Sequence, residues 1–88
     1  MYLHLGQETL VNTKNVIGVF DLDTTTLSQK TRDFLARAQR EKQVVNVSEE
    51  LPKSFVVTQE KEQTVYITQM APATLKKRLE NTEKIQFK

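Results

Sequence analysis

Apolar and polar positions alternate with a period of two over several short stretches, the pattern of half-buried strands. Leu3 and Leu5 form the first such pair and Thr9 and Val11 the second, which predicts strands over 2–5 and 9–12 with Gly6 as the turn or bulge residue between them. Val16-Ile17-Gly18-Val19-Phe20 is a third strand, and Gly18 inside it marks a bend or a close backbone approach. The period then changes. Leu27, Thr31, Phe34, Leu35 and Ala38 fall on one helical stripe, with Thr26 as N-cap and Gln29 completing a capping box, which predicts a helix over 27–42. Asp33 and Arg37 stand one turn apart on its polar side.

Strand propensity returns at Val44-Val45-Asn46-Val47. A polar loop, Ser48-Glu49-Glu50-Leu51-Pro52-Lys53, leads to Phe55-Val56-Val57-Thr58, and a charged hairpin tip, Gln59 to Gln63, leads to Thr64-Val65-Tyr66-Ile67-Thr68. Pro72 opens a second helix at its first turn, where the missing N–H costs nothing. Leu75 and Leu79 form its inner side, while Lys76, Lys77 and Arg78 fan outward. From Glu83 the alternation Lys84-Ile85-Gln86-Phe87-Lys88 reads either as a strand that adds to a neighbour or as a frayed terminus. The result is an α+β domain: a small, mainly antiparallel sheet with two helices, in the order β-β-β-α-β-β-β-α. It occupies residues 1–80 as a single domain, followed by a C-terminal tail over 81–88.

A chain of 88 residues buries only roughly 60–65% of its unfolded surface, so its core is thin and self-association is a common remedy. It has no cysteine, hence no disulfide and no thiolate metal ligand, which fits a reducing cytoplasm. The opening Met1-Tyr2-Leu3-His4-Leu5-Gly6 has neither a basic leader nor a long apolar run, so a soluble protein without a membrane partner is expected. Thirteen Lys and Arg against eleven Asp and Glu leave a net charge of +2, a smaller excess than dedicated DNA-binding domains carry.

Catalytic chemistry finds little to work with. His4 is the one histidine and alternates with Leu3 and Leu5, the setting of a half-exposed strand residue rather than a base. Asp21 and Asp23 either ligate Mg²⁺ or form a polar turn before the helix. The two glycines, Gly6 and Gly18, make no phosphate-cradling loop. No enzyme, cofactor, metal or small-molecule substrate is expected. Cations offer more. Lys30, Arg37 and Arg40 share one flank of the first helix, diluted by Asp33 and Glu41. Lys76, Lys77 and Arg78 form the densest cluster, read either as a nucleic-acid contact or as cations stabilised near a helix C-terminus. Lys14 and Lys53 are isolated loop cations. Tyr2, Phe20, Phe34, Phe55, Tyr66 and Phe87 mostly read as core, not as a base-stacking platform.

Four segments together resemble the RemA/RemB family of bacterial extracellular-matrix regulators, its RemB-type members above all. They are Met1 to Gly6, Val16 to Asp21, Pro52-Lys53-Ser54-Phe55-Val56-Val57-Thr58, and Thr74-Leu75-Lys76-Lys77-Arg78. The resemblance runs to about residue 80. It implies a cytoplasmic DNA-binding regulator of biofilm-matrix genes, a fold similar to the LytTR DNA-binding domain, and closed homo-oligomeric rings that bind double-stranded DNA along a basic surface. RemA-type members carry an arginine pair, serving DNA binding, in the loop before the fifth strand; here that loop has Glu49, Glu50 and the single cation Lys53. A second basic position corresponds to Asn15, with Lys14 beside it. Lys14 and Lys53 are therefore the main expected phosphate contacts, with Lys76, Lys77 and Arg78 secondary. The alternative is a ring-forming protein that no longer touches DNA and acts through a protein partner or a DNA-binding paralogue.

Overall fold

Gly6, Gln7 and Glu8 all have positive φ, 100°, 47° and 65°, and the reversal they make closes a hairpin between β1 (Tyr2–Gly6) and β2 (Thr9–Asn12). Two successive left-handed residues match the right-handed twist of the strands they join. The computed structural model describes residues 1–22 and 27–86. A 3-10 turn, Thr13–Asn15, which no apolar pattern announces, leads into β3 (Val16–Asp21). Then follow α1 (Gln29–Arg40), β4 (Val44–Asn46), β5 (Ser54–Gln59), β6 (Gln63–Thr68) and α2 (Pro72–Gln86). The α+β class and the element order are as expected.

The strands divide between two sheets. β1 and β2 form one, and the other has the order β3-β5-β6-β4. β5 is antiparallel to both β3 and β6, whereas β4 runs parallel to β6. α1 therefore joins strands at opposite edges of the larger sheet. β5 is buried from Ser54 to Thr58 because both of its faces are covered. On one side Phe55 and Val57, with Val65 of β6, pack against Ala38, and Phe34 and Leu35 of α1 close over them. On the other, Val56 and Val19 meet Leu3, Leu5 and Val11 of the hairpin and Leu75 of α2.

Two buried hydroxyls tie these layers together. Thr68 Oγ1 donates to the Leu5 carbonyl (2.7 Å) and accepts from the Met70 amide (3.2 Å), and Ser54 Oγ donates to the Met70 carbonyl (2.7 Å). Each buried polar group left unpaired costs about 1–3 kcal/mol. Thr68→Val would strand two of them, so it is expected to lower the unfolding free energy by about 2–4 kcal/mol in urea titrations. Thr68→Ser, which keeps the hydroxyl, should lose less than half of that.

Several boundaries differ from the sequence expectation. Ser28, not Thr26, caps α1: its Oγ accepts from the Thr31 amide at 3.2 Å, and Thr26 lies outside the described residues. Serine is a strong N-cap residue, and its short hydroxyl reaches a free amide of the first turn. The helix ends at Arg40, not Lys42, because Lys42 turns left-handed (φ 59°). The Gln43 amide then reaches the Ala38 carbonyl (2.9 Å) and the Lys42 amide that of Gln39 (3.1 Å). That bond pair is a Schellman closure, here made without glycine. Asp33 accepts a hydrogen bond from Gln29 Nε2 at 2.9 Å. At the other end α2 is helical through Gln86, so the alternation after Glu83 does not form a strand; Phe87 and Lys88 lie outside the described residues. Tyr2 and Phe20, expected in the core, are 66% and 45% exposed.

Gly18 does permit the close approach expected of it. A β-carbon there would fall 2.7 Å from the Phe20 ring, and the β3–β5 register shifts between Val16 and Gly18. The freed space lets Phe20 stack on Phe55, ring centroids 5.0 Å apart and planes inclined by 20°.

Candidate nucleic-acid interface

Lys14 stands in the middle of the 3-10 turn, exposed. Its backbone is held by a cap, the Asn12 side chain accepting from the Lys14 amide at 3.0 Å. The turn is pinned to the start of the chain, with the Thr13 amide and hydroxyl both donating to the Met1 carbonyl (3.0 and 3.2 Å). Lys53 is equally exposed on a fixed backbone. Its amide donates to the Thr68 carbonyl and its own carbonyl accepts from the Leu22 amide, both at 2.9 Å. Only the side chains have to be ordered when either lysine meets an anion, and that lowers the entropic cost of contact.

The structure does not bring these two cations together. In the β3–β5 pair Val16 lies opposite Thr58 and Asp21 opposite Ser54, so Lys14 is at one end of the pair and Lys53 at the other. The six residues of β3, at about 3.3 Å each, separate them by roughly 20 Å. Carboxylates stand at both ends. Glu49 and Glu50 are exposed in the loop that contains Lys53, and Glu60 and Glu62 line, with Asn15 and Thr58, a recess at the Lys14 end.

Lys76, Lys77 and Arg78 are all exposed, while Leu75 between them and Pro72 is fully buried and Leu79 half-buried. α2 runs on to Gln86, so the three lie in its first half and not near its C-terminus. Stabilisation by the C-terminal dipole, which acts only within the last turn, does not account for them. α2 begins at the end of the sheet where Lys53 sits, since Thr68 pairs with Ser54 and Met70 bonds to it. His4 is exposed on β1, and among the described residues no three His, Cys, Asp or Glu side chains group as a metal site. Asp23 lies outside the described residues. No described helix is long and apolar enough to cross a membrane.

The family model described as RemA-like, extracellular matrix regulatory protein A-like, matches residues 2–79. The chain belongs to the RemA-like family. Extracellular matrix regulatory protein B of Bacillus subtilis (strain 168) is 38% identical to it over 78 residues, 89% of this chain and 89% of that protein. The matched span takes in both sheets, α1 and the start of α2, and with them Lys14, Lys53, Lys76, Lys77 and Arg78.

What the sequence did not single out is an apolar surface. Leu51 projects from the β4–β5 loop at 83% exposure, and Ile17 on β3 is 61% exposed. For Leu51 the signal was present: a leucine between Glu50 and Pro52 belongs to neither apolar period. For Ile17 and Phe20 it was absent, since an edge strand and a central one look alike when β-branched residues run continuously.

Proposed function

We propose that this chain is a homo-oligomeric DNA-binding regulator of extracellular-matrix genes, acting in the bacterial cytoplasm. The observation that carries the reading is membership of the RemA-like family, with the extent of the match to a protein named for matrix regulation. That family is named as regulatory, not for any catalysed reaction. Lys14 and Lys53 serve as the main phosphate contacts, and Lys76, Lys77 and Arg78 as secondary ones.

One subunit with two lysines about 20 Å apart, each near carboxylates, is a weak ligand for a duplex. Repetition changes that. Once copies are joined, each later contact is intramolecular and adds to the first. Each phosphate neutralised contributes roughly −0.9 to the slope of log K against log salt. Contacts of this kind position the backbone and respond to duplex shape without reading bases. A second reading is favoured by Glu49 and Glu50, which are exposed beside Lys53. In it the assembly is kept but acts through a protein partner or a DNA-binding paralogue.

Fluorescence anisotropy with a labelled duplex, titrated with the full chain at several salt concentrations, separates the two. Binding at low salt that weakens steeply as salt rises supports the regulator. An assembled chain that leaves the duplex free at low salt supports the second reading.

A further inference from the structure

The β4–β5 loop is built to present Leu51. The Glu50 amide donates to Ser48 Oγ at 3.1 Å, Pro52 stiffens the exit, and the Lys53 backbone is bonded on both sides. A leucine 83% open to solvent on an ordered loop is a preformed apolar knob, and Glu49 and Glu50 give it two negative neighbours. The same molecule carries the opposite shape. α1 leaves the β3 side of its sheet face uncovered, so Ile17, Phe20, Phe34, Phe55 and Val57 line an open apolar groove of about 330 Å³, with Lys30 on its rim. Lys30 and Phe34 also border the adjoining recess, lined further by Arg37, Arg40 and Asp33. The groove thus has a mainly positive shoulder, and the knob a negative one.

The loop that carries the knob leaves the β4 edge and rejoins the sheet at β5, and the groove flanks β3 at the other edge. Knob and groove can satisfy each other head to tail, and a head-to-tail contact whose rotation closes makes a ring. We infer that Leu51 of one copy of this chain docks in the Ile17–Phe20–Phe34 groove of the next, with Glu49 and Glu50 facing Lys30, Arg37 and Arg40. The occupant is a second copy because this chain itself supplies both shape and charge complement. The inference rests on the self-association part of the proposed function and names its surface.

Sedimentation velocity over a range of concentrations tests it, with circular dichroism confirming the fold of each variant. Leu51→Asp and Ile17→Glu alter exposed positions and are each expected to reduce the assembly to protomers. Mixed in equal amounts they should form a one-to-one dimer and stop there, since each retains the half that the other lacks. Reversing Glu49 and Glu50 to lysine should weaken assembly at least tenfold at low salt, and reversing Arg37 and Arg40 to glutamate in the same chain should restore it. Undiminished oligomers of Leu51→Asp, or no dimer in the mixture, would overturn this contact and leave self-association standing. A wild-type chain that stays a protomer at every concentration would instead remove the self-association reading.

Discussion

Alanine at both Lys14 and Lys53 is expected to lower duplex affinity by about a hundredfold or more at moderate salt and to reduce the salt slope by more than half. If four copies engage one duplex, two lysines each make eight contacts and a slope of about −7. Removing both lysines leaves only what Lys76, Lys77 and Arg78 supply. The two positions sit at opposite ends of the β3–β5 pair, too far apart to share a phosphate, so their single-variant losses should add on a logarithmic scale. Anisotropy titrations of the two single variants and the double variant check this. A double variant with an undiminished slope would transfer the contact to α2. Neither substitution touches the core, since both side chains are exposed.

Leu75→Ala is expected to lower the unfolding free energy by about 2–5 kcal/mol, the range for a buried leucine whose cavity refills only in part. For a domain of this size each kcal/mol shifts the melting temperature by about 4–8 °C, so the midpoint of thermal unfolding followed by circular dichroism should fall by about 8 °C or more. The effect is large because Leu75 is fully buried and joins the cluster built from the β1–β2 hairpin and the larger sheet. Leu79, half-buried, should cost less on truncation. Loss of α2 docking would also misplace Lys76, Lys77 and Arg78, so Leu75→Ala should weaken duplex binding at temperatures where the rest of the chain stays folded.

How far the structure was legible depended on the range of the signal. The order of elements follows from local periods: Leu3 and Leu5, the run from Val16 to Phe20, and the stripe from Thr31 to Ala38 each announce their own element. Pairing is another matter. Nothing in Val44-Val45-Asn46 indicates that three residues cross to the far edge and pair in parallel with β6. The left-handed turn at Lys42 has no glycine to mark it. The site divides in the same way. That Lys14 and Lys53 are exposed could be read from their polar surroundings. Their separation depends on the register between Val16 and Thr58, a contact between residues 42 positions apart that no local pattern encodes.

That crossover by α1 also constrains the order in which the sheet can assemble. β5 and β6 are joined by a short tip, so they zip with little loss of chain entropy. β3 must find β5 across the intervening α1 and β4, and β4, which pairs with β6, has only three residues to reward the search. The central hairpin is thus the natural starting point. The two rims, which the proposed assembly would use, are the last parts of the sheet to arrive.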